Sequence, residues 1–121
     1  MLKALSRLIS RRPPLPALTH ASINTLCHDF LPRVQALNRE RLDTIQQQPA
    51  QHPALFREDS MNLYQRASLY LEYGEWYKAR QLLDSAARRL QAHAPDAAAT
   101  LLHLCRDMQA AELQQRELLR N

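Results

Sequence analysis

A single glycine, Gly74, occurs in 121 residues. Loops that cradle phosphates, of either the Walker or the dinucleotide type, need several glycines in one short run, so none can be built here. The same scarcity argues against a hairpin-rich β fold, whose tight turns need residues with positive φ. Leu, Ala, Gln and Arg dominate while β-branched residues are few, and that bias favours helix. The expected fold class is therefore all-α, a small helical bundle of antiparallel hairpins. The length is room for one domain, or for one small domain with tails.

The formal charge is +4, and it is unevenly placed. Residues 1–41 carry a net +5 and residues 42–121 a net −1. Within the first stretch, Leu2, Leu5, Leu8 and Ile9 share one helical face, Lys3, Arg7, Arg11 and Arg12 lie elsewhere, and no acid precedes Asp29. This composition suits an organelle transit peptide or a short membrane-surface helix. It equally suits a terminal helix packed on the domain, or a tail. No apolar run approaches the ~20 residues needed to span a bilayer. The expected location is cytoplasmic, with the membrane periphery or an organelle matrix as the alternative if residues 1–12 are a targeting segment.

Proline punctuates the rest. Residues 1–18 read as the basic segment followed by a stiff linker containing Pro13, Pro14 and Pro16. Residues 19–48 read as N-terminal helices. Thr19 or Ser22 can cap a first short segment, and Asp29 a helix from about Phe30 to Gln47 that keeps Pro32 in its first turn. The polar run Gln46–Pro53 marks a linker over residues 49–58. Asp59 or Ser60 then caps a helix over about 61–73. Gly74 ends it, and a further helix runs from Glu75 to Leu90 or Ala92. Pro95 breaks that helix, and Asp96 caps a last one over about 97–119.

Residues 63–86 carry the most informative pattern. Leu63, Ala67 and Tyr70 precede the turn at helical spacing, and Trp76, Ala79, Leu83 and Ala86 follow Gly74. Small residues let two antiparallel helices approach, and large ones fill the gaps beside them. This arrangement resembles one tetratricopeptide repeat, whose 34-residue unit places residues of these sizes in these slots. Two positions depart: Arg66 stands where the family usually has Leu, and Gln91 where it has proline. The resemblance spans residues 60–92, within a unit of residues 59–121 made of the hairpin and the C-terminal helix. It implies a module that presents a helical surface to peptides or partner helices. Repeats of this kind normally stack in several copies, so a lone hairpin must be capped by flanking helices or by another chain.

Five of the chain's seven aromatics, Tyr64, Tyr70, Tyr73, Trp76 and Tyr77, fall within that motif. Tyr64, Tyr73, Trp76, Tyr77 and Arg80 are the candidate partner-binding residues, since aromatic and arginine side chains dominate binding energy at interfaces. Catalytic, cofactor-binding and metal-ligating residues are expected to be absent. The five histidines form neither HExxH nor an i, i+4 pair, and Cys27 and His28 diverge too far on a helix to hold one ion. No carboxylate pair stands on an apolar face. Cys27 and Cys105 read as small buried hydrophobes in a reducing compartment, with one disulfide between them left open.

The expected function is thus non-enzymatic: protein–protein interaction as an adaptor, chaperone or assembly factor, binding a partner helix or peptide, or a second copy. One alternative is a nucleic-acid-associated regulator using the basic N-terminal region with Arg80, Arg88 and Arg89. Another is a membrane- or organelle-associated assembly factor acting through residues 1–12.

Overall fold

A computed structural model describes residues 14–47, 54–92 and 94–120. The four helices among them are α1 (His20–Gln47), α2 (Ala54–Glu72), α3 (Trp76–Leu90) and α4 (Pro95–Arg120), and the described residues include no strand. The fold is all-α. Each helix packs on its neighbour in sequence, and α4 returns against α1.

α1 is one helix where the prolines suggested two segments. Thr19 caps it: its Oγ1 accepts the Ser22 N–H at 3.1 Å, which meets one of the donors a helix start leaves unpaired. Asp29 is therefore a mid-helix residue, and Pro32 lies in the helix interior. An interior proline removes a backbone hydrogen bond and costs about 3 kcal/mol. The helix runs through it because Leu26, Cys27, Phe30 and Val34, on either side of Pro32, are all buried on one face. Breaking the helix at Asp29 would rotate half of that stripe out of the core.

α2 begins at Ala54, so Asp59 and Ser60 are helical and do not cap. Ala54–Glu58 is rich in helix-favouring residues and contains no breaker. The helix ends in a Schellman motif. The Glu75 N–H reaches the Tyr70 carbonyl at 2.7 Å, the Gly74 N–H reaches that of Leu71 at 3.2 Å, and Gly74 takes the left-handed φ of 74° that this requires. The turn is tight enough for α3 to start at Trp76 and run back along α2.

α3 buries Trp76, Ala79, Leu83, Ala86, Ala87 and Leu90. The alanines admit the neighbouring backbones, while Leu83 and Trp76 occupy the space between them. The Phe30 ring of α1 meets Trp76 edge-on, with centroids 5.4 Å apart at 64°. α4 opens with Pro95 in its first turn, where a missing N–H is harmless. The Ala98 N–H reaches the Ala94 carbonyl at 2.9 Å, so Ala94 holds the cap position expected for Asp96. Asp96 sits instead in the first turn, where its charge suits the helix dipole. Ala98, Leu101, Leu104, Cys105 and Met108 complete the core. The two cysteines are free thiols.

Candidate interaction surface

The hairpin sorts its aromatics sharply. Tyr64 and Trp76 are 3% and 1% exposed, so both are core side chains and neither offers a ring to a partner. Tyr70 is half-buried against the same core. The sorting follows helix geometry: Leu63, Ala67 and Leu71 define the inward stripe of α2, and Tyr64 lies beside Leu63 and Ala67 on it.

Trp76 also has its polar atom satisfied. Its Nε1–H donates to Glu112 Oε1 at 2.6 Å, and the same oxygen accepts from Arg80 at 2.6 Å. One carboxylate on α4 thus closes two donors on α3 in a largely buried spot. Arg80 is thereby engaged inside the chain. The acid that does this, Glu112, reads in the sequence as half of an i, i+4 pair with Arg116. Arg116 instead donates to the carbonyls of Pro16 and Leu15, at 2.8 and 2.9 Å, and so fastens the proline-rich segment to α4.

Tyr73 and Tyr77 remain outward, 80% and 53% exposed. Tyr77 shares a shallow cleft of about 220 Å³ with Arg80, Gln81, Asp84, Cys105 and Gln109. Leu113 stands one turn beyond Gln109 on α4 and is also exposed. Tyr73 and Tyr77 flank the α2–α3 turn, and Glu72 and Glu75 are exposed beside them. Leu113 is an exposed apolar side chain that sequence reasoning does not single out. The signal for it lies in the antiparallel register of α3 and α4, which becomes visible only once Trp76 is set opposite Glu112.

A second cleft, of about 510 Å³, lies between α1 and α4 and is lined by Arg33, Ala36, Leu37, Ala99, Thr100, His103 and Leu104. Asp107 beside it accepts from Arg33 at 2.8 Å and lies 3.7 Å from His103. These groups are well exposed, and such pairs contribute about 0–1 kcal/mol.

Neither thiol is poised for nucleophilic chemistry. Burial, then the charge of Asp84, pushes the Cys105 thiol up to about 11 from an ordinary 9.0, against a smaller opposing effect of Arg80. Burial, then Glu75, raises Cys27 as well. A thiol held protonated is a poor nucleophile and metal ligand. Among the described residues no three His, Cys, Asp or Glu side chains converge as metal ligands, and no helix is long and apolar enough to cross a membrane. In the basic stripe of α3, Arg80 is paired with Glu112 and Arg88 with Asp84 at 2.7 Å. The basic segment 1–12, His52 and His93 lie outside the described residues.

Compared with known proteins, the chain matches no family model, no curated protein and no solved structure.

Proposed function

We propose that this chain is a non-catalytic interaction module, an adaptor, chaperone or assembly factor, that binds a partner helix or peptide across Tyr73, Tyr77 and Leu113. The observation that carries this reading is the sorting of the hairpin's rings. Tyr64 and Trp76 are buried, whereas Tyr73 and Tyr77 stand in solvent beside an exposed leucine. Large aromatics held out on a rigid turn lose little entropy on binding and supply much of the energy at interfaces. The resemblance of residues 60–92 to a tetratricopeptide hairpin points to the same role, with α1 and α4 standing where neighbouring repeats would.

The test is affinity capture with the full chain, followed by identification of what binds. Tyr73→Ala with Tyr77→Ala should weaken that complex by 2 kcal/mol or more, in the range of interface hot spots. Thermal unfolding of the double variant should match the parent, because neither ring belongs to the core. Equal capture by parent and variant would refute this surface as the binding site.

A further inference from the structure

The α2–α3 junction carries charge of one sign. Between Leu69 and Tyr77 the only charged residues are Glu72 and Glu75, in a chain whose net charge is +4. Both acids are exposed. Among the described residues neither carboxylate is held by a hydrogen bond or an ion pair. Glu75 is the N-cap residue of α3, yet its side chain makes no capping bond. The next cation along the chain is Lys78, in the first turn of α3 and itself exposed. Arg80 beyond it is committed to Glu112.

Glu72 also stands at the unfavourable end of its helix. It is the last residue of α2, whose last turn contains no basic side chain. The C-terminus of a helix is the negative end of its dipole, where an acid is disfavoured and a cation favoured. A cation arriving from outside would meet the helix terminus, Glu72 and Glu75 together.

The same stretch carries the exposed rings. Tyr73 is 80% exposed, and Leu69, one turn earlier on α2, is exposed as well. Tyr77 follows on α3. The face of a tyrosine ring is itself negative and attracts an arginine or lysine placed over it. The aliphatic stem of such a side chain gains apolar contact from the same surface.

We propose that the segment docking on Tyr73 and Tyr77 is cationic: a helix or peptide of the partner protein that lays an arginine or lysine over Tyr73, pairs it with Glu72 and Glu75, and sets an apolar side chain against Leu69. This rests on the reading of Tyr73 and Tyr77 as the binding surface, and adds to it the charge of the partner.

Two short, fluorescein-labelled amphipathic helical peptides test it, alike in their leucines, one with arginine and one with glutamate on the polar face. Anisotropy with the full chain should show binding of the arginine peptide alone, weakening as salt rises, although the chain's net charge of +4 opposes it. Amide shifts should move over residues 69–77. Glu72→Lys should weaken binding about tenfold. It should also raise Tm by about 2–5 °C, because it replaces an acid by a cation at the negative end of α2. Lost binding in a stabilised chain separates recognition from folding. Tyr73→Ala should weaken binding with Tm unchanged. No binding of the arginine peptide, or binding that Glu72→Lys leaves intact, would overturn the proposal. Preference for the glutamate peptide, abolished by Tyr73→Ala with Tyr77→Ala, would overturn the charge assignment and leave the surface standing. Arginine-peptide binding that depends on Glu72 but on neither ring would overturn both.

Discussion

Glu112 is the side chain on which the junction of α3 and α4 turns. Its Oε1 accepts both the Trp76 indole N–H and the Arg80 guanidinium. Replacing it by alanine strands a buried indole donor, at about 1–3 kcal/mol, and removes a charge-assisted partner from Arg80. Arg80 keeps about a quarter of its side chain in solvent, so water recovers part of that second loss. A total of about 2–3 kcal/mol is expected for Glu112→Ala. For a domain of this size that corresponds to a fall in Tm of roughly 6–12 °C. Trp76 is the sole tryptophan, so its fluorescence in urea follows this junction directly, and circular dichroism follows the helices. Glu112→Gln retains an acceptor for the indole and loses only the charge, so it should fall about halfway. A cycle with Trp76→Phe should then show coupling, since the two residues share one bond. If Glu112→Ala unfolds within 0.5 kcal/mol of the parent, below the ~1 kcal/mol floor for an orphaned donor, the shared-acceptor account is wrong. If Glu112→Gln costs as much as alanine, the ion pair outweighs the indole bond.

Pro32→Ala should stabilise the chain by about 1–2 kcal/mol. It returns an N–H to the interior of α1 and relieves the proline's clash, offset by a freer unfolded state; the urea midpoint reads it, and an unchanged midpoint refutes it. Gly74→Ala should destabilise by about 1–2 kcal/mol because its φ of 74° is costly for any residue with a Cβ. The new Cβ would meet Asn24 Oδ1 at 3.4 Å, near ordinary contact, so backbone strain rather than collision sets the loss. Cys105 gives a pH test. Its folded value, raised to about 11 from 9.0, means that its contribution is whole below pH 9 and is lost as pH rises toward 11. Stability should decline through that window, and Cys105→Ala should flatten the decline relative to the parent.

Periodicity and punctuation made the helices legible, and the limits lie where tertiary contacts overrode local signals. Gly74 was readable because one residue type satisfies a left-handed end. Asp29, Asp59 and Asp96 all look like caps, and none of the three starts a helix, because a capping side chain matters only where the chain has reason to begin. In α1 that reason is the stripe from Leu26 to Val34, which carries the helix across Pro32. The candidate site divided in the same way. Tyr73 and Tyr77 were separable from the inward stripe by angle alone. Tyr64 was not, because it sits at the edge of a stripe whose width depends on how closely α1 approaches. The role of Arg80 depended on Glu112, 32 residues away, and no local spacing reveals such a pair.

A lone helical hairpin buries too little to stand by itself, and here α1 and α4 supply the rest of its core. α1 brings Phe30 against Trp76, and α4 brings Glu112 to its indole and Met108 into the core. α1 thus packs on α2, and α4 on α3. Among the described residues, the exposed large hydrophobic side chains are Leu69, Tyr73, Tyr77, Leu113, Leu118 and Leu119. The proposed interaction through Tyr73 and Tyr77 uses a small surface, and small surfaces bind firmly only when rigid. The Schellman turn supplies rigidity to Tyr73.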